Sequence, residues 1–164
     1  MRQALLIINL QSTFSPPEWL IDRTRALSAR LPTLAVVQLH DEQATPFQAQ
    51  LGWHPAADDE NLIEADEVFV KHGYGLPGGA IDCLKRLGVE QVLVCGLHTE
   101  ACVLAAGFGL FDAGLSPTLV TDLTIGAGED RMGDVGRELW VRHFGRVTTC
   151  AQVTARTAAV MEPM

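Results

Sequence analysis

The sequence has no apolar run long enough to cross a bilayer. Its opening stretch, Ala4-Leu5-Leu6-Ile7-Ile8, falls far short of the roughly 20 residues a spanning helix needs. It also lacks the layout of a secretory signal, with no longer apolar stretch and no small-residue cleavage site, so a cytoplasmic protein without a membrane partner is expected. Positive charge is scarce: 12 Lys and Arg stand against 20 Asp and Glu, for a net charge of −8 and a pI near 5.0. Non-specific nucleic-acid binding needs a basic surface that displaces counterions, so no nucleic-acid partner is expected. No C-x-x-C pair is present, and Cys83, Cys95, Cys102 and Cys150 show no zinc-finger spacing with histidine. Without a secretory signal, four reduced thiols are expected, mostly buried and inert. Finally, no G-x-G-x-x-G follows the first apolar run. Gln11-Ser12-Thr13-Phe14 stands there instead, which removes a dinucleotide-binding reading.

What is present reads as one globular domain over residues 1–164. Apolar residues make up 48% of the chain, charged residues 20%, and the mean hydropathy is +0.16; that composition suits a packed core rather than disorder. Strand-length apolar runs occur at 4–9, 34–39, 68–71, 91–95 and 117–121, with a weaker one at 146–149. Several lack alternation, the mark of strands covered on both faces. Helical periodicity lies between them, at 18–30, 79–87, 100–113 and 129–144, with a last helix at 150–161. Alternating strands and helices predict an α/β fold: three α/β/α layers around a mostly parallel, doubly wound, Rossmann-like sheet. The polar segment 41–66 breaks the alternation, and a loop that long is usually functional or mobile.

In such folds ligands bind beyond the carboxyl ends of the strands. The polar residues there are Asn9 and Gln11, His40 and Asp41, Lys71 and His72, the run Gly96 to Cys102, and Asp122. Cys102 stands out. With Thr99 as N-cap, it falls in the first helical turn, among unpaired backbone N–H groups and the positive end of the helix dipole. Both favour a thiolate, and the same N–H groups suit an oxyanion. Lys71 interrupts the apolar run Val68-Phe69-Val70, and its ammonium would reinforce a thiolate nearby. Each has an ordinary alternative: a cysteine packed in an apolar helix, and a lysine reaching solvent from a strand end.

The stretch Val94-Cys95-Gly96-Leu97-His98-Thr99-Glu100-Ala101-Cys102-Val103 resembles the nucleophile motif of the isochorismatase-like cysteine hydrolases. The opening Ala4-Leu5-Leu6-Ile7-Ile8-Asn9-Leu10-Gln11 with Phe14 is similar to the family's first strand, and Val68-Phe69-Val70-Lys71 resembles its lysine strand. Ala113-Gly114 followed by Val120-Thr121-Asp122 also fits, so the resemblance runs in order along nearly the whole chain. It implies an aspartate–lysine–cysteine triad in which the cysteine attacks an amide or related carbonyl and water hydrolyses the thioester. It also implies a non-proline cis peptide at Leu97-His98, in the turn that aims backbone N–H groups at the oxyanion.

One position departs from that pattern: Asn9 stands where the family has aspartate. An amide cannot accept a proton at neutral pH, and acid–base catalysis is worth about 10²–10⁴-fold in rate. Asp41, Asp122, His72 and His98 are candidate substitutes. The family's nicotinamidase branch holds a metal with an Asp-x-His pair and a further histidine. Here His40-Asp41 and a distant His54 give no such pair, so neither metal nor cofactor is expected. Gln11, Phe14 and Trp53 are candidates for the substrate pocket, Trp53 within a segment similar to the variable substrate loop of the non-metal branch. The expected function is hydrolysis of a small amide, ureido or related carbonyl compound by a homo-oligomer. The alternatives are a degenerate member that binds a small molecule or serves assembly, and a thiol used directly as redox sensor or acyl acceptor.

Overall fold

The computed structural model describes residues 1–128 and 130–161. Six strands form one all-parallel sheet in the order β3-β2-β1-β4-β5-β6. They are β1 (Gln3–Ile8), β2 (Thr33–Gln38), β3 (Glu67–Lys71), β4 (Gln91–Leu97), β5 (Pro117–Ile125) and β6 (Val147–Thr148). The helices are α1 (Glu18–Ser28), α2 (Phe47–Leu51), α3 (Gly78–Arg86), α4 (Leu104–Asp112), α5 (Asp130–Phe144) and α6 (Cys150–Met161). This is the expected three-layer arrangement.

The strand sequences explain the layering. In β1, Ala4, Leu6 and Ile8 face one side, where α3, α4 and α5 supply Leu84, Ala106, Leu110 and Trp140. Leu5 and Ile7 face the other, against Leu20 and Leu27 of α1 and Val153 of α6. Strands covered on both faces need no polar alternation, and each fully buried leucine or isoleucine contributes about 2 kcal/mol.

Several boundaries differ from the sequence reading. β1 stops one residue early because Asn9 takes a left-handed backbone, φ 54°, which asparagine tolerates better than most residues. β5 continues past Thr121 to Ile125, although its middle carries the polar pair Thr121-Asp122. β3 is an edge strand and is not covered on both faces: Val68 and Val70 are each about half exposed. The segment 41–66 contains the short helix α2. The expected helix at 100–113 splits into a π-helical turn, Thr99–Val103, and α4. Of the helix expected at 129–144, Glu129 lies outside the described residues.

No helix among the described residues is long and apolar enough to cross a membrane.

Candidate active site

The strand order reverses between β1 and β4, and a crevice forms there beyond the strand ends. β1 and β4 run in register up to Ile8 opposite Gly96. Asn9 therefore leaves β1 beside the point where β4 turns toward Cys102. On the other side, β2 pairs with β3 so that Gln38 lies directly opposite Lys71. Four strand ends thus deliver Lys71, Gln38, Asn9 and Cys102 to one place.

All four are buried: Asn9 is 1% exposed, Gln38 2%, Lys71 4% and Cys102 5%. Lys71 Nζ donates to the Tyr74 carbonyl at 2.9 Å. Burial pushes Lys71 below the usual lysine range, while the facing Cys102 sulfur works in the opposite direction. Cys102 Sγ donates to Gln38 Oε1 at 3.4 Å, and Asn9 Nδ2 makes a long contact to the same oxygen, also 3.4 Å. Asn9 Oδ1 is buried with no hydrogen-bond partner.

The nucleophile turn is held from several sides. The Leu97-His98 peptide is cis, as the resemblance implies. Thr99 does not cap the helix. Its hydroxyl lies 2.7 Å from Thr124 Oγ1, which itself donates to the Gly96 carbonyl at 2.9 Å, so Thr99 tethers the turn to β5. The turn begins instead from His98, without a side-chain cap. Helix α5 approaches it backbone to backbone at Gly136, where a Cβ would fall 2.7 Å from the Glu100 nitrogen and the Thr99 carbonyl carbon. A glycine is required there for the turn to sit where it does. Sequence reasoning missed Gly136 and Thr124 as supports of the turn, and Gln38 as a member of the site.

The remaining candidates are placed as follows. Gln11 is fully buried and does not form open pocket wall. Its Oε1 accepts from the Gln38 nitrogen at 2.7 Å and its Nε2 donates to the Gln38 carbonyl at 3.0 Å. Phe14 meets the His98 ring edge-on at 5.9 Å. Burial pushes His98 below the usual histidine range, partly offset by Glu100. Trp53 is half exposed and packs edge-on against Phe47, which also meets Tyr74 beside Lys71.

None of the four candidate substitutes for the missing carboxylate hydrogen-bonds to the sulfur, which meets Gln38 instead. Asp122 accepts from the Cys150 nitrogen at 2.8 Å, Asp41 from Gln43 and Ala44, and His72 Nδ1 lies 2.8 Å from the Leu39 carbonyl. His40 and His54 stack face to face, with ring centroids 4.0 Å apart. Among the described residues no three His, Cys, Asp or Glu side chains converge as metal ligands, and the donors nearest Cys102 are neutral amides, poor partners for a divalent cation.

The arrangement provides a buried thiol, a cation facing it and two amides that hold the geometry. The model of the isochorismatase domain matches residues 3–152. Among curated proteins, none matches the chain by sequence. An isochorismatase-like hydrolase from Alkaliphilus metalliredigens superposes with a TM-score of 0.82 at 15% identity, covering 95% of this chain and 99% of that one. The N-carbamoylsarcosine amidase of Thermoplasma acidophilum superposes at 0.74 with 18% identity, covering 92% and 97%. The pyrazinamidase of Pyrococcus horikoshii, solved with zinc, superposes at 0.75 with 20% identity, covering 91% and 99%. At these identities the structures speak to the fold.

Proposed function

The chain belongs to the isochorismatase family, and from that premise we propose that it is a cysteine hydrolase of a small amide or related carbonyl compound. Cys102 is the nucleophile, and Lys71 supports its negative charge. The observation that carries this reading is the buried lysine facing the thiol. Isolating an ammonium from water is costly, and here its stem could have reached solvent from an edge strand. The likeness to an amidase fold supports the same substrate class.

In this mechanism the sulfur attacks the carbonyl carbon, the C–N bond breaks, and the amine leaves with a proton. Water then cleaves the thioester, releasing the acid and restoring the thiol. Asn9 cannot accept a proton, so the step that aspartate serves elsewhere in the family is slow here.

Turnover of a panel of small amides by wild type, Asn9→Asp and Cys102→Ala tests the reading. Asn9→Asp is expected to raise turnover by up to about 10²–10⁴-fold, and the gain should vanish when Cys102→Ala is added. No gain on any amide would overturn the hydrolase reading and favour the degenerate, small-molecule-binding member that Asn9 also suggests.

A further inference from the structure

We propose that Gln38 is a positioning residue for Cys102, its side-chain carbonyl holding the sulfur and the Asn9 amide at one point. The proposal rests on the reading of Cys102 as the nucleophile. Gln38 lies between the other members of the site: β2 separates β3, which carries Lys71, from β1, which leads to Asn9. Along β2 the side chains on its face are Leu34 and Val36, both fully buried in the apolar cluster that also contains Cys102. An apolar residue at position 38 would continue that face without a desolvation penalty, whereas a buried amide costs free energy unless its groups are bonded. Gln38 Oε1 accepts from Cys102 Sγ and faces Asn9 Nδ2, each at 3.4 Å.

The backbone of Gln38 is fixed in turn. Gln11 closes on its N–H and carbonyl with both ends of a side-chain amide, at 2.7 and 3.0 Å. One glutamine therefore pins the main chain of the other, whose side chain then pins the sulfur. An amide orients a thiol but takes no proton from it. A carboxylate in the same place would do both, so Gln38→Glu puts a titrating group against the sulfur while keeping the oxygen that accepts its hydrogen bond.

The test is the pH profile of Cys102 alkylation by iodoacetamide, resolved by peptide mass spectrometry, in wild type, Gln38→Leu and Gln38→Glu, each checked for folding by thermal melting. The expected result is a new step on the acid side of the Gln38→Glu profile, absent from the other two. Gln38→Leu is expected to change the plateau rate at least threefold. Superimposable profiles would overturn the proposal. A second measurement needs no variant at Gln38: the S–H stretching band of Cys102, taken on the acid side of its alkylation profile, where the sulfur is protonated, as the infrared difference between wild type and Cys102→Ala. It is expected at the lowered frequency of a hydrogen-bonded thiol, and a band at the free-thiol frequency, or no band, would overturn the proposal. Neither measurement requires turnover. If the amide panel fails while the step and the shifted band appear, the hydrolase reading falls and the role of Gln38 stands.

Discussion

Cys95 and Cys102 are both buried thiols on the same strand–turn unit, and they sit in opposite surroundings. Cys95 lies in the middle of β4, fully buried between β1 and β5, with one weak contact to the Leu6 carbonyl at 3.8 Å. Burial pushes its thiol far above the ordinary range, with a smaller contribution from Cys150. Cys102 is nearly as buried but lies past the strand end, facing an ammonium and bonded to an amide. The comparison teaches that burial alone does not decide what a cysteine does. The sheet interior offers only apolar neighbours and spent backbone groups, while its carboxyl edge gathers polar side chains from four strands.

The sharpest way to break the comparison is to delete each thiol. Cys102→Ala is expected to reduce amide turnover in the Asn9→Asp background to the uncatalysed level. Cys95→Ala should keep turnover within a few-fold and instead cost about 1 kcal/mol of stability through a small core cavity, read by denaturant melts. Equal losses of activity would remove the distinction between the two regions.

A smaller effect concerns the cation. Lys71 is held below the usual lysine range by burial. Between its folded value and the unfolded value of about 10.4, the unfolded chain binds more protons, so stability rises with pH. The penalty is fully present below the folded value. Lys71→Met is therefore expected to stabilise the fold at pH 7 by about 1 kcal/mol, or about 2–4 °C in Tm. That gain should shrink as pH approaches 10. Melts at both pH values check it, and a gain that does not change with pH would contradict the account.

Much of the fold was legible because the buried parallel strands are continuous apolar runs and the helices between them keep a period near four. Less legible were features that tertiary contact decides. The π-helical turn before α4 follows from the tether of Thr99 to Thr124 and the close approach of Gly136, and neither leaves a local pattern. The exposed faces of Val68 and Val70 follow from the edge position of β3, which composition does not reveal. Of the candidate site residues, Asn9, Lys71 and Cys102 are legible as polar or reactive positions at or beyond strand ends. Gln38 is less legible because it falls inside the apolar run 34–39, before the polar residues His40 and Asp41 that follow the strand. A signal was present: a polar side chain ends the strand on the face of Leu34 and Val36. Gln11 pointed to the right region, and its amide supports the site rather than lining it.

The central claim is that Cys102, unlike the other thiols, is armed by Lys71. The most direct measurement is the iodoacetamide alkylation rate of each cysteine at pH 7, resolved by peptide, in wild type and Lys71→Met. Cys102 is predicted to react at least about tenfold faster than fully buried Cys95 and faster than the more exposed Cys150, and to lose that lead in Lys71→Met. A Cys102 rate no faster than the others, or one unchanged by Lys71→Met, would contradict the account.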